Sequence, residues 1–212
     1  VLDADLWNLF RPRQPSEQFL GLFIKLGSSA MESQQALRSK ITKHASFNML
    51  GACALKWGQL ENVTTTLVHL LNKHEHLPGP IAECAAVAAD RFENARLAAA
   101  LLREVASVSP EEYKRQQLSD AKGVSAVGVF VSELAQRMPK TTMTNISLLL
   151  PHLDGEAYSL RSALVTVLGH LVCSDAASGS LNDDRDRSTA DSTAPLLRAK
   201  QGFLDLLVER VH

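Results

Sequence analysis

Apolar residues recur along most of the chain at intervals of three and four positions, the period of an α-helix with one buried face. The clearest sets are Phe47, Leu50, Cys53 and Ala54; Val63, Leu67, Leu70 and Leu71; Ile81, Cys84, Ala85 and Ala88; and Leu97, Leu101, Leu102 and Val105. The alternation of apolar and polar residues that marks a β-strand is nearly absent. The pattern therefore predicts an all-α protein.

Short turn sequences separate the predicted helices. Gly58, the LPGP sequence at 77–80, Pro139 and the HLDGE sequence at 152–156 each end one apolar set and precede another. Because short connections place neighbouring helices antiparallel, the helices fall into pairs. The predicted pairs are 45–57 with 61–74, 79–92 with 95–107, and 124–137 with 142–153, and a fourth pair opens at 156–173.

The spacing of the pairs predicts how they assemble. Their first helices recur at intervals of about 30 to 45 residues, the range of two-helix repeats of the HEAT or armadillo kind. Each pair is too apolar to stand alone, so neighbouring pairs must stack on one another. We therefore predict a HEAT/armadillo-type α-solenoid of antiparallel helix pairs. A closed two-layered bundle would produce the same periodicity and is the alternative.

One segment interrupts the helical pattern. Residues 174–193 are rich in Ser, Thr, Asp and Gly and carry no apolar stripe, which predicts a disordered acidic insertion. The pattern resumes at 194–212 and is still running where the sequence stops, so we expect a piece of a longer protein. The predicted organisation is a divergent N-terminal helical region at 1–43, helical repeats at 44–173, the insertion, and a helix at 194–212 that completes the last pair.

Composition and charge exclude several classes of protein. The formal net charge is -1, so the whole-chain balance gives no argument for binding nucleic acid or a membrane. No apolar run reaches the length that spans a bilayer. Three cysteines, Cys53, Cys84 and Cys173, lie within apolar helical patterns and are predicted to be buried, reduced thiols.

The sequence contains no set of residues typical of an enzyme. His69, His74 and His76 come nearest to a metal-ligand set, but their spacing is not that of a zinc motif, and we interpret them as polar residues at a solvated helix end. Asp154 and Glu156 are interpreted as a helix cap and a first-turn carboxylate. We predict no catalytic residue, no metal site, no cofactor and no small-molecule substrate.

Four basic residues are candidate DNA contacts. Lys40 and Lys43 share one helical face, and Arg96 and Arg103 lie two turns apart on another helix. If they line one surface of the stack, they would bind phosphates without reading base sequence. Acidic residues are interspersed among them, so ordinary surface charge is the alternative.

Four hydroxyl residues are candidate phosphorylation sites. Ser109 precedes Pro110, but it also suits a helix N-cap with Glu112 three residues on. The other three sites, Ser188, Thr189 and Ser192, fall in the predicted insertion.

The second half of the chain resembles a known family. The sequence VFVSELAQRMPKTTMTNISLLLPHLDGEAYSLRSALVTVLGHLV, followed later by FLDLLVERVH, is similar to the N-terminal region of condensin complex subunit 1, the HEAT-repeat non-SMC subunit. The resemblance is carried by Glu133, Leu134, Arg137, Pro139, Leu148 to Leu150, Pro151 to Glu156, Tyr158, Arg161, Gly169, Asp205, Leu207, Glu209 and Arg210. It also includes 69–83, and it is weakest over the first 43 residues.

The resemblance implies a non-catalytic scaffold in mitotic chromosome condensation. Its implied partners are the kleisin subunit and the SMC ATPase subunits of condensin, and contact with double-stranded DNA is left open. The implied location is the nucleus and chromosomes, with a cytoplasmic pool. The alternative is an unrelated HEAT or armadillo adaptor, a transport or phosphatase-regulatory scaffold, whose groove binds peptides.

Overall fold

The helices predicted between 45 and 137 are present with closely similar bounds, and a helix also follows the turn near 156 as predicted. The computed structural model describes residues 15–109, 111–112, 115 and 121–182, without the side chains of 121–123, 172 and 174–182. Its α-helices are α1 (Glu17–Glu32), α2 (Gln34–Arg38), α3 (Lys40–Leu55), α4 (Leu60–Lys73), α5 (Pro78–Phe92), α6 (Arg96–Ser107), α7 (Ala121–Arg137), α8 (Pro139–Thr144) and α9 (Tyr158–Asn182). No β-strand occurs within the described residues, so the all-α class is confirmed.

The helices form two layers. The most extensive contacts join α1 to α3, α3 to α5, α5 to α7 and α7 to α9, which make up the first layer. The second layer contains α4 and α6, followed by α8 and two short 3-10 turns, Ile146–Leu148 and Leu150–Leu153. The first helices of successive pairs begin about 40 residues apart, as in two-helix repeats, at Lys40, Pro78, Ala121 and Tyr158. This arrangement confirms the predicted solenoid type of fold.

Local side-chain and backbone chemistry sets the helix ends. The Ser33 and Ser39 hydroxyls cap α2 and α3 by accepting hydrogen bonds from backbone N–H groups three residues on, at 3.3 and 3.4 Å. Pro78 occupies the first position of α5, where its missing N–H costs nothing. After α3 the chain turns at Gly58, whose φ of +71° is accessible to glycine at little cost. These local signals keep the connections within each pair short.

The helices of the first layer approach closely where small residues meet. A Cβ atom added at Gly51 on α3 would lie 2.8 Å from Cβ of Ala88 on α5, and one added at Gly128 on α7 would lie 2.9 Å from Cβ of Ala163 on α9. Real Cβ atoms do not approach one another so closely. Glycine is therefore required at these two contacts for the observed helix spacing.

Pairs of contacts give the helix directions. Lys43 contacts Glu83 and Gly51 faces Ala88, so residue numbers rise together and α3 runs parallel to α5. In contrast, α1 runs antiparallel to α3. Phe23 contacts Trp57, just beyond the end of α3, with ring centroids 6.1 Å apart, and Gly27 faces Leu50 on α3. The segment α1–α2–α3 is therefore a helical hairpin at one end of the described helices.

The core runs through both layers as one cluster. Each apolar set identified in the sequence faces it, and the largest fully buried side chains include Phe47, Phe130, Leu50, Leu67, Leu71, Ile81, Leu97 and Leu101. The burial of apolar surface, which contributes about 25 cal/mol per Å² removed from water, is the main favourable contribution to this packing. Within the described residues, the buried faces of all the pairs belong to this one cluster.

The second helix of the third pair differs from the prediction. In place of one helix over 142–153, α8 ends at Thr144 and is followed by the two 3-10 turns. The Thr142 and Thr144 hydroxyls donate to carbonyl groups four residues back, and the Asn145 side chain donates to the Thr141 carbonyl, at 2.8 to 3.1 Å. Such polar competition weakens a helix. Pro151 then excludes a regular α-helix because it lacks an N–H and restricts the preceding residue.

Two helix boundaries also differ from the predicted divisions of the chain. The division at 43/44 falls inside α3, which begins at Lys40. The helix α9 continues through Asn182, so the loop expected at 174–193 does not begin at 174. No proline interrupts this stretch, and each added residue extends a helix at low cost once it is nucleated. Residues 183–193 of the expected insertion and the predicted helix 194–212 lie outside the described residues.

Candidate interaction surface

Two of the four candidate DNA contacts lie at the start of α3. Lys40 is exposed, and Lys43 Nζ lies 2.7 Å from Oε1 of Glu83 on α5. The Lys43 ammonium group also lies 6.0 Å from the centroid of the Phe47 ring. Because Lys43 is engaged in an ion pair between two helices, much of its charge is compensated within the protein.

The other two candidate contacts lie on α6, in the second layer. Arg96 and Arg103 are both exposed, and the Arg96 backbone N–H donates to Oδ1 of Asn94 at 2.9 Å, which helps to start the helix. Glu104, beside Arg103, is exposed as well. The structure therefore places the lysine pair and the arginine pair on different layers.

The three histidines before LPGP do not form a common ligand set. His69 is exposed on α4, whereas His74 and His76 are half-buried with ring centroids 5.5 Å apart. The interpretation of all three as solvated is therefore wrong, because the Nε2 atoms of His74 and His76 are buried and have no hydrogen-bond partner among the described residues. A cavity of about 430 Å³ lies beside them and is lined also by Gln34 and Ala126. Among the described residues, no group of three or more metal-ligating side chains occurs anywhere.

The cysteines divide into two environments. Cys53 and Cys84 are buried as predicted, and burial raises the pKa of each thiol to about 12. Cys173 is exposed, so its predicted burial is wrong. The apolar face of α9 runs through Leu168 and Leu171, and a residue two positions beyond Leu171 falls on the opposite side of a helix.

The phosphorylation candidate Ser109 acts as a helix cap. Its hydroxyl oxygen accepts a hydrogen bond of 3.1 Å from the Glu112 backbone N–H, as the sequence predicted. Ser109 is also exposed, so the cap lies at the surface. The remaining candidates, Ser188, Thr189 and Ser192, lie outside the described residues.

The turn before α9 is held by a histidine of the HLDGE sequence. His152 is buried, and its Nε2 donates to the Ala106 carbonyl oxygen at 3.2 Å. Burial lowers the pKa of His152, and the contact with the Ala106 carbonyl acts in the opposite direction more weakly. The stacking of the second layer brings residues 106 and 152 together. Sequence spacing and periodicity therefore could not predict this contact.

The interpretation of the two carboxylates in this turn as a helix cap and a first-turn residue is wrong. Because α9 begins at Tyr158, Asp154 lies too early in the chain to be its N-cap, and Glu156 precedes its first turn. The Arg161 guanidinium donates to the Gly155 carbonyl at 3.4 Å and lies 5.9 Å from the Tyr158 ring centroid. Asp154, Glu156, Tyr158 and Arg161 are all exposed. The turn therefore presents a mixed polar and aromatic surface.

Apolar residues are also exposed on α1. Phe19, Leu22 and Leu26 have 52, 56 and 56% of their surface accessible, and they lie on the side of the helix opposite to its buried residues Leu20 and Ile24. We refer to these three residues as the α1 stripe. On the other helices of the first layer, the exposed large apolar residues are more scattered, at Ile41, Val129, Tyr158 and Val165.

Comparisons with known proteins connect this architecture to one family. The family model of the non-SMC mitotic condensation complex subunit 1, N-terminal part, matches residues 1–63. The condensin-1 complex subunit CAP-D2 of Arabidopsis thaliana is 32% identical over 209 residues, which are 99% of this chain. The chain is similar to condensin complex subunit 1. The proteins of that name from Mus musculus and Homo sapiens are 27 and 24% identical over 100 and 94% of the chain.

The similarity to condensin subunit 1 extends beyond the segments that carry the resemblance in the second half of the chain. It includes the first 43 residues, where the resemblance is weakest by inspection. The chain spans 14% of the length of these relatives. Among the described residues, no helix is both long and apolar enough to cross a bilayer. The comparisons support the role of a non-SMC subunit of condensin.

Proposed function

We propose that this chain is part of a non-catalytic scaffold subunit of condensin that acts in mitotic chromosome condensation through protein contacts. One observation carries the proposal, namely that similarity to condensin subunit 1 covers 99% of a chain folded as stacked helix pairs. Stacked pairs bury their apolar faces against each other and leave two long outer faces for partners. We propose a nuclear and chromosomal location with a cytoplasmic pool, which follows from that role.

The proposed partners are the kleisin subunit and the SMC ATPase subunits. The turn at Asp154 to Arg161 is a suitable place for such a contact, because it presents an exposed Tyr158 and Arg161 next to the hydrogen bond between His152 and Ala106. Tyrosine and arginine are enriched among the residues that dominate binding energy at interfaces. Asp154 and Glu156 would favour a basic partner segment over an acidic one.

Contact with double-stranded DNA is proposed for the α6 arginines in particular. Arg96 and Arg103 are exposed on one helix, whereas Lys43 is paired with Glu83. Two phosphate contacts would make a small, sequence-independent contribution to binding by the intact complex, and it would weaken as the salt concentration rises. Lys40 would add to it only if the DNA also reaches α3.

Reconstitution of the full-length subunit with kleisin and SMC proteins tests these proposals. We expect the double variant Tyr158→Ala/Arg161→Ala to weaken kleisin or SMC recovery, and Arg96→Glu/Arg103→Glu to weaken DNA binding without affecting assembly. Glu61→Gln, at an exposed acidic site on α4, is the matched surface control. Recovery of a transport cargo or a phosphatase subunit, with no kleisin or SMC protein, would favour the adaptor function and reject the condensin role.

Phosphorylation of Ser109, Ser188, Thr189 or Ser192 is proposed as regulation of the subunit. A phosphate on Ser109 would sit at a helix N-terminus, where negative charge is favourable. Phosphosite mapping from mitotic and interphase cells tests the proposal, and the absence of modification at all four residues in mitosis would reject it.

A further inference from the structure

Two histidines in the turn between α4 and α5 carry buried nitrogen atoms that no neighbouring group satisfies. His74 and His76 lie with ring centroids 5.5 Å apart and ring planes inclined by 62°. The Nε2 atom of each ring is shielded from solvent and has no hydrogen-bond partner among the described residues. A buried polar nitrogen without a partner is unfavourable, and a single ligand bound by both rings would satisfy the two nitrogens together.

The backbone holds the two rings in place. The His74 N–H donates to the Leu70 carbonyl at 3.0 Å, and the Leu77 N–H donates to the His74 carbonyl at 3.2 Å, which closes a turn over 74–77. Leu77 and Pro78, where the turn leads into α5, are buried. Because the turn is fixed at both ends, little conformational entropy is lost when one ligand joins the two imidazoles.

The separation of the rings is close to that of two imidazoles on one metal ion. With Zn–N distances of about 2.0–2.1 Å and a tetrahedral angle, the ring centroids of two such ligands lie about 5 Å apart. The observed separation of 5.5 Å is near this value. Neutral imidazole is also the commonest metal ligand in proteins. We propose that His74 and His76 bind one divalent ion of the metals that prefer imidazole, with Zn²⁺ as the probe, through their Nε2 atoms.

Water and neutral oxygen atoms would fill the remaining positions around the ion. The cavity of about 430 Å³ beside the rings is lined by Gln34 and Asn72, whose amide oxygens can act as ligands. Lys73 and Glu75 line it as well and carry opposite charges, so the lining does not repel a cation overall. The described residues contain no set of three His, Cys, Asp or Glu side chains that could hold a metal. Because a closed structural zinc site has four protein ligands, the metal bound here should be exchangeable.

Zinc titration of the 212-residue chain tests the proposal. All proteins carry Cys173→Ser, which removes an exposed thiol that would bind Zn²⁺ independently. In this background we expect isothermal titration calorimetry to show a Zn²⁺ site that His74→Ala and His76→Ala each weaken by at least about tenfold, because even the loss of a residue that only supports a metal ligand has that effect. His69→Ala, at an exposed histidine on α4, is the matched control and should bind Zn²⁺ as the parent does.

Imidazole NMR keeps the test independent of any effect of the variants on folding. In long-range hydrogen–nitrogen correlation spectra of the parent, Zn²⁺ should shift the Nε2 resonances of His74 and His76 and leave those of His69 in place. Far-UV circular dichroism should be the same for the three alanine variants. Absence of Zn²⁺ binding would overturn the proposal, and so would an affinity that either His74→Ala or His76→Ala leaves unchanged, because the metal would then lie elsewhere. Nε2 resonances of the two histidines that stay unchanged at saturating Zn²⁺ would overturn it as well.

Discussion

His152 Nε2 lies 3.2 Å from the Ala106 carbonyl oxygen and joins the 3-10 turns to the end of α6. Because burial keeps the folded-state pKa of His152 below its ordinary value, the unfolded chain binds the proton more readily. The contribution of the neutral ring to stability is therefore complete above about pH 6.5 and is lost as the pH falls below that value. We expect the free energy of unfolding, measured with urea, to decrease from pH 7.5 to pH 5.5.

The variant His152→Gln should reduce this pH dependence, because glutamine keeps an N–H donor but does not titrate. His69→Gln, at an exposed histidine, is the control and should leave the pH dependence unchanged. An equal pH dependence in the parent protein and His152→Gln would contradict the assignment to His152.

The close approach of α3 and α5 makes Gly51 sensitive to the addition of one methyl group. Gly51→Ala should lower the free energy of unfolding by about 1–3 kcal/mol through overpacking against Ala88, despite the better helix propensity of alanine. Gly21→Ala is the matched control, because its added Cβ would meet no atom within 4 Å. It should stabilise by about 0.5–1 kcal/mol in the same urea titration. Stabilisation by both variants would show that α3 and α5 can separate without cost.

The ion pair between Lys43 and Glu83 should contribute modestly to the packing of α3 on α5. Both side chains are about one quarter exposed, so solvent screens part of their 2.7 Å interaction. A double-mutant cycle with Lys43→Met and Glu83→Gln should give a coupling energy of about 0.5–1 kcal/mol. The coupling should decrease in high salt, and a value that is zero within error in low salt would exclude the pair as a stabilising contact.

Adjacent residues on α7 should differ sharply in their contribution to stability. Phe130 is fully buried in the core, and Phe130→Ala should lower the free energy of unfolding by about 3–5 kcal/mol. Val129 is 48% exposed, and Val129→Ala should change it by about 0.5 kcal/mol or less. Chemical denaturation monitored by circular dichroism measures both, and a similar loss for the two would contradict the orientation of α7.

The thiols should differ in reactivity as they differ in exposure. With pKa values near 12 and buried sulfur atoms, Cys53 and Cys84 should resist alkylation by iodoacetamide at pH 8 in the folded protein. Cys173 should react, and mass spectrometry should identify it as the modified site. All three should react in denaturant, and rapid native labelling of Cys53 or Cys84 would indicate opening of the core.

Periodicity predicted the fold well because the pattern and the fold both arise from the requirement that each helix bury one apolar face. The sets that include Phe47, Leu67, Ile81 and Leu101 mark the buried face of each helix, and turn residues such as Gly58 mark the ends. Where local chemistry competes with periodicity, the prediction was less accurate. The apolar residues of 142–153 suggested one helix, but the threonine hydroxyls and Pro151 break it into shorter elements.

The candidate surface was less predictable, since it depends on which helices become neighbours. Lys43 was identified from its helical face, but its partner Glu83 lies 40 positions away and no local signal joins them. The same holds for His152 and Ala106. Cys173 is a different case, because continuing the apolar face of α9 from Leu171 already predicts that residue 173 points outward.

The parallel course of α3 and α5 has an electrostatic consequence. Peptide dipoles add along each helix, so the amino ends of these neighbours place partial positive charge at the same edge of the layer and their carboxyl ends place partial negative charge at the other. The effect is local to the terminal turns of α3 and α5, and it exists even though the formal net charge of the chain is only -1. Anionic groups that approach the two ends of α3 and α5 will encounter opposite local fields.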